Sequence, residues 1–431
     1  MAEAARRVAR DKVDASQVII GKAWDTIRPL GSVEHLFWLI DQNRPAHFAV
    51  TAQISGEATP RDWRKALDRV QERHPLLSVC IDGRPGSVPR FRQADAAPIP
   101  LRIVEKEPRS RWEHEVGVEL ATPFDPSQAP LMRAVLIQGV RDAAFMLVAH
   151  HAIADGLSLA YAIRDTLGAL ASGFLEPLPL SSSQDDILGV PAGLESTQEP
   201  QDDALAWDPA VYRAQDGAHP KVKGLRLPPA LTASVRDRAR QEGTMVHGAL
   251  CAALVSAGRQ VSADWREIPL RIMSPINTRQ LLDVGESCGV FVGAATGVFD
   301  GQPMDFWDLA RDAKAGVAAG QTREGVAALI SALQQVVGNG ADIAVAAEFT
   351  ATAFAHEAML TNLGTLSFGS QFGPMKLEAL WGPAVLSGIE GEQTIGAATV
   401  DGGLCLTHTS HTPPAGLLEA MQSVLVEACA T

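Results

Sequence analysis

The sequence predicts a mixed α/β protein, built either as two domains or as one pseudo-duplicated fold. At 431 residues the chain is longer than one ordinary core covers. Apolar runs of strand length alternate with helical periodicity in both halves. Between the halves, from about Gly173 to Pro229, both signals give way to turn-rich composition.

Each element has its own warrant. Residues 63–73 carry apolar side chains at helical spacing (Trp63, Ala66, Leu67, Val70), and His74-Pro75 ends the helix. Residues 76–81 read as a strand ahead of the turn Asp82-Gly83. Residues 131–138 and 143–149 are apolar runs around Gly139-Val140-Arg141-Asp142, and read as adjacent buried strands. Residues 157–170 follow as a helix with Leu157, Ala160, Tyr161, Leu167 and Leu170 on its apolar side. Pro177, Pro179, Ser181-Ser182-Ser183, Pro191, Pro200 and Pro220 mark a crossing segment. Helices are expected again over 231–240, 246–257 and 415–427, and strand-like stretches over 268–273, 290–299 and 397–408. This divides the chain into 1–175, a crossover at 176–228, and 229–431.

Composition excludes several classes. Apolar residues make up 46% and charged residues 20%, ordinary for a globular protein. A net charge of −13 offers no surplus of cations for nucleic acid or anionic lipid. It leaves room for a local basic groove that holds a phosphorylated substrate. The five cysteines are scattered, with none of the close pairs that zinc ligation uses, so no metal and a reducing compartment are expected. Glu3, Arg6, Arg7, Arg10, Asp11, Lys12 and Asp14 lead into no apolar core, which is not a signal peptide. No apolar run is long enough to span a bilayer. A cytoplasmic monomer is the expectation.

The segment His150-His151-Ala152-Ile153-Ala154-Asp155-Gly156 carries the chemistry. A buried strand delivers two histidines at its end, and a helix begins a few residues later. In an extended chain successive side chains point to opposite faces, so one histidine meets a cleft and the other packs against the scaffold. Asp155 suits a helix N-cap, and Gly156 permits a tight turn into the helix. Imidazole titrates near neutrality, so a positioned histidine can take a proton from an alcohol or amine attacking a carbonyl. Such a base is worth roughly 10²–10⁴-fold, the remainder coming from positioning and oxyanion stabilisation. The chemical competitor is a metal site of His150, His151 and Asp155, which the divergence of adjacent extended residues disfavours.

His-His-x-x-x-Asp-Gly resembles the signature of the superfamily containing nonribosomal peptide condensation domains, polyketide-associated acyltransferases, plant acyl-CoA-dependent acyltransferases and chloramphenicol acetyltransferase. The likeness extends along nearly the whole chain, from about Ile27. Arg73-His74-Pro75-Leu76-Leu77 resembles the family's early Arg-His-Pro-x-Leu element. Phe124-Asp125-Pro126 and Pro130-Leu131-Met132-Arg133 resemble the approach to the catalytic hairpin. Ser274-Pro275-Ile276-Asn277-Thr278-Arg279 is similar to the Pro-Val-Asp-Leu-Arg segment, and Thr361-Asn362-Leu363-Gly364 to Ser-Asn-Leu-Gly. Polyketide-associated acyltransferases are the nearest in likeness. Two departures stand: Ser367-Phe368-Gly369-Ser370 occupies the place of the plant branch's Asp-Phe-Gly-Trp-Gly, and Asn277-Thr278 replaces Asp-Leu.

The resemblance implies two chloramphenicol-acetyltransferase-like subdomains in a V with a central tunnel. It implies His151 as general base midway along the tunnel, with His150, Asp155 and Gly156 completing the motif. Asp155 would act as a structural acid paired with Arg279, and Asn277 is a further site candidate. The implied reaction moves an acyl group from coenzyme A or a carrier-protein thioester to a hydroxyl, giving an ester without a covalent intermediate. The thioester is substrate, and no bound cofactor is expected. Two alternatives stay open: a free-standing amide-forming enzyme with an amine acceptor, and a catalytically silent condensation-like module that recruits a partner.

Other signals are weaker. Thr407-His408-Thr409-Ser410-His411 lacks Asp-Gly and reads as tunnel wall or surface. Gly285-Glu286-Ser287-Cys288-Gly289 matches the Gly-x-Ser-x-Gly string of a nucleophile elbow, but a strand-like run follows the serine where the elbow needs a helix. It reads as a loop, so no covalent nucleophile is assigned.

Overall fold

A computed structural model describes residues 26–190 and 208–430, apart from residues 85, 94–96, 109 and 339. The charged N-terminal stretch and residues 191–207 of the crossover lie outside the described residues.

The described residues form two six-stranded mixed sheets and a small three-stranded one. The first large sheet runs Gln371–Phe372, Met375–Ala384, His47–Ser55, Asp142–His150, Met132–Gln138, Leu101–Glu105. Its last pair is parallel, and the others are antiparallel. The second runs Val292–Phe299, Leu270–Asn277, Ala358–Thr365, Gln393–Val400, Gly403–Ser410, Lys221–Arg226. Ala358–Thr365 lies parallel to both of its neighbours.

Local sequence explains the elements near the site. Thr59 caps the helix Pro60–Arg73 by accepting from Asp62 N, while Pro60 needs no hydrogen bond at that position. The strands Met132–Gln138 and Asp142–His150 form the expected hairpin, with Phe145, Met146, Leu147 and Val148 all buried. The helix Gly156–Ser172 buries Leu159, Ala160, Ile163 and Leu167, whereas Tyr161 is half-buried beside Phe368. Its end is left-handed at Gly173, φ 74°, which glycine adopts without strain.

Several expectations need correction. Within 76–81 only Val79–Asp82 is strand, because Pro75 opens a 3₁₀ turn through Ser78. The stretch 397–408 belongs to two strands, Gln393–Val400 and Gly403–Ser410, joined at Asp401-Gly402. Lys221–Arg226, inside the expected crossover, is the edge strand of the second sheet. Met375–Ala384, from the C-terminal half, pairs with His47–Ser55 in the first sheet.

One core packs Trp63, Leu77 and Phe145 beneath the first sheet, and another packs Leu250, Leu254, Leu406 and Leu425 around the second. A further apolar cluster joins them: Val148 of the first sheet and Cys405 of the second meet Trp381 and Trp112. Those two indoles stack at 5.1 Å. Each fully buried apolar side chain contributes roughly 1.5–3 kcal/mol, and this shared cluster ties the two sheets to each other. Among the described residues no helix is long and apolar enough to cross a membrane.

Candidate active site

The two histidines meet different surroundings, His150 as the last residue of its strand and His151 in the turn that follows. His150 ends the strand Asp142–His150, pairs with His47 across the sheet, and is wholly buried. Its Nδ1 accepts from Ala152 N at 3.0 Å, so its proton sits on Nε2, 3.3 Å from the Asp41 carboxylate. Its ring packs against Asp41, whereas that of His151 stacks on Phe37.

His151 lines a cavity of about 220 Å³ bounded by elements of both sheets. Its backbone N–H donates to Ala46 O at 2.8 Å. Phe37 stacks on the ring at 4.0 Å and 5°, and Phe48 lies 4.5 Å away on a tilted plane. Nδ1 is 3.1 Å from Ala154 O, an acceptor only, so Nδ1 carries the proton and donates. The lone pair is then on Nε2. Desolvation pushes the imidazole down to about 4, so at neutral pH the ring is uncharged.

Asp155 and Arg279 meet, and the contact spans the two halves. Asp155 caps the helix Gly156–Ser172, its Oδ1 accepting from Ser158 N at 2.7 Å. Arg279 Nη2 donates to both carboxylate oxygens at 3.0 Å and to Ser158 Oγ at 2.8 Å. Phe291 N donates to Oδ2 at 3.0 Å. Arg279 Nη1 reaches the carbonyls of Gly285 and Ser287, so the same guanidinium fixes the 285–289 loop. Asp155 is thus a clamp held in place by hydrogen bonds and charge.

Gly156 is needed for a different reason than the turn expected of it. A Cβ there would stand 2.7 Å from Pro383 Cγ and 2.8 Å from Leu363 Cδ2, so glycine leaves room where two cavity-lining residues close in. Asn277 lines the cavity but is exposed, and its Oδ1 accepts from Arg279 N at 3.1 Å, closing a turn. Thr361, Asn362 and Leu363 also line it. The strand there is irregular at Gly364, φ 72°, whose N–H donates to Asn362 Oδ1.

Other landmarks support the site from outside. Arg73 and His74 both bond Asp165 of the motif helix, and His74 Nδ1 accepts from Cys288 N. Residues 285–289 form a loop before the strand Val292–Phe299, and Ser287 Oγ donates to Pro179 O. Of the segment 407–411, the first four residues are buried in their strand, where His408 bonds Gln393, and His411 beyond it is half-buried. Sequence reasoning missed Phe37, Phe48, Asp41, Ser158 and Phe291. Only Ser158 had a local signal, three residues after its cap.

Two mixed sheets around a cavity lined by a histidine from a strand end define the class: the chloramphenicol-acetyltransferase-like fold of condensation domains. Known proteins agree. The condensation-domain family profile matches residues 37–174, and that of the phthiocerol/phthiodiolone dimycocerosyl transferase C-terminus matches 216–369. Residues 37–174 thus resemble a condensation domain, and residues 216–369 the C-terminal part of a dimycocerosyl transferase.

Polyketide synthase associated protein 5 from Mycobacterium tuberculosis superposes with TM-score 0.63 at 19% identity, covering 94% of this chain and 99% of that one. The first condensation domain of the calcium-dependent antibiotic synthetase gives 0.66 at 16%, covering 94% and 96%. A linear gramicidin synthase from Brevibacillus parabrevis is 29% identical over 157 residues, 34% of this chain and 3% of the relative. A plipastatin synthase from Bacillus subtilis (strain 168) is 24% identical over 287 residues, 61% and 8%. The chain thus spans less than a tenth of the length of either synthase. The two matched profiles, a condensation domain and the C-terminus of an acyl transferase, support a general role in acyl or condensation transfer.

Proposed function

We propose that the protein transfers an acyl group from a coenzyme A or carrier-protein thioester to a hydroxyl acceptor, with His151 as general base. The observation that carries this reading is the tautomer of His151. Ala154 O holds the proton on Nδ1, which leaves the Nε2 lone pair for the cavity that the ring lines. A neutral ring pinned by Phe37 needs no reorganisation before it accepts a proton.

In this scheme Nε2 takes the hydroxyl proton as the oxygen attacks the thioester carbonyl, giving a tetrahedral oxyanion. Gly156 and Leu157, in the first turn of the motif helix, line the cavity at the positive end of that helix, where negative charge is favoured. Collapse breaks the carbon–sulfur bond, and the leaving thiolate takes the proton back from Nε2. The ester is released without a covalent enzyme intermediate. Asp155 orders the loop and moves no proton.

A panel of acyl thioesters and alcohol or amine acceptors tests this, read by thiol release and product mass. His151→Ala is expected to lower transfer by roughly 10²–10⁴-fold in a folded protein. Ser287→Ala is expected to leave it unchanged. A wild-type rate in the His151 variant removes that residue from the mechanism. Wild-type protein that transfers nothing yet binds a biosynthetic partner favours the recruitment module, and amide products favour the condensation alternative.

A further inference from the structure

We propose that Arg44 binds a carboxylate carried by one of the two substrates. The inference rests on the acyl-transfer reading and narrows its substrate class to carboxylate-bearing acceptors or acyl chains.

Arg44 follows the first helix, Ser32–Asp41, and stands two residues before Ala46, whose carbonyl holds the His151 backbone. It is only 7% exposed, yet it lines the same cavity as His151. Its guanidinium lies over the Tyr212 ring, 3.6 Å from the centroid. Nε donates to Ser387 O at 2.8 Å and Nη2 to Thr350 Oγ1 at 3.0 Å. Nη1 is buried with no hydrogen-bond partner among the described residues.

Tyr212 and Glu392 both act on Arg44 electrostatically, but the Glu392 oxygens are taken up by the N–H groups of Ser387, Gly388 and Ile389 at 2.6–3.1 Å and give Nη1 no acceptor. A desolvated cation with a free donor is costly, and the fold takes trouble to hold it. Gly388, φ 80°, leaves the space: a Cβ there would stand 2.7 Å from Arg44 Cδ. Apolar Ile40, Pro45 and Phe354 line the cavity as well, and such surroundings strengthen pairing with an anion. A substrate carboxylate would supply the acceptor that Nη1 lacks. The carboxylate belongs either to a hydroxy- or amino-acid acceptor, or to the far end of a dicarboxylic acyl chain.

Octanoate and octanamide are suitable probes, being alike in shape and different in charge. Calorimetric titration of wild-type protein is expected to give about tenfold or tighter binding of octanoate, as a charge-assisted hydrogen bond implies. Arg44→Gln should bring the ratio near one, Arg44→Lys should keep part of it, and His151→Ala should keep all of it. Equal binding of the two probes by wild type overturns the inference without any variant, as does an unchanged ratio in folded Arg44→Gln.

Transfer assays then locate the carboxylate. One arm compares 2-hydroxyoctanoate with its amide as acceptor, and the other compares octanoyl thioester with its ω-carboxylated analogue as donor. A tenfold preference in kcat/KM in one arm supports the inference and names the source. Transfer with no preference in either arm overturns it and leaves the reaction standing. If wild type transfers nothing from any donor, the reaction reading falls, and the binding ratio alone decides the role of Arg44.

Discussion

Asp155 concentrates the site's dependence on a single side chain. Its two oxygens receive Ser158 N, Phe291 N and the Arg279 guanidinium. Asp155→Asn leaves that guanidinium without its counter-charge, and breaking a buried pair in this way costs about 3 kcal/mol. Urea denaturation is expected to register that loss together with a lower transfer rate. A variant as stable and active as wild type would refute the clamp. The motif residues were legible because they are neighbours in sequence, and Arg279 because the family likeness supplied its partner. Phe37, Phe48 and Asp41 were not. They reach the histidines through strand pairing and the packing of the first helix, and an isolated phenylalanine does not announce what it will stack on.

At the scale of elements, two strands crowd together where Gln393–Val400 passes the end of Met375–Ala384. A Cβ at Gly396 would stand 2.3 Å from Pro383 O and 2.7 Å from Gly382 C, backbone atoms that have no rotamer to change. Gly396→Ala is expected to destabilise by about 3 kcal/mol, well above an ordinary substitution, and to lower Tm accordingly. An unchanged Tm would mean that the two strands separate freely. Periodicity identified the hairpin and the motif helix because both are local. It merged 393–400 with 403–410 although Asp401-Gly402 is a strong turn signal, and both residues adopt positive φ, 49° and 72°. It gave no partner for Met375–Ala384, which pairs with a strand more than 300 residues earlier, since period alone carries no pairing information.

For the whole molecule, buried histidines set the response to acid. Desolvation holds His35, His47, His151, His247 and His408 down to about 4. Unfolded, each titrates near 6.5. The stability they contribute is therefore complete above pH 6.5 and is lost as pH falls toward 4, because the unfolded chain then binds more protons. Each fully coupled group adds a slope of about 1.4 kcal/mol per pH unit. Urea midpoints are expected to fall steeply between pH 6.5 and 4.5, and flat midpoints across that range would contradict the burial. Initial rates in protein still folded should hold their neutral value below pH 6, since His151 remains uncharged there.

The strand Met375–Ala384 has a further consequence. It is made late in the chain and completes a sheet begun early, so the crossover is a seam in sequence and not in structure. A fragment ending near residue 190 would carry His150, His151 and Asp155 but would leave the strand His47–Ser55 with a bare edge open to aggregation. Alone it should be insoluble. Co-expressed with the remainder of the chain, it should recover a soluble two-piece molecule, detected as one species by size exclusion. A nick in the crossover would then cut the chain without parting the protein.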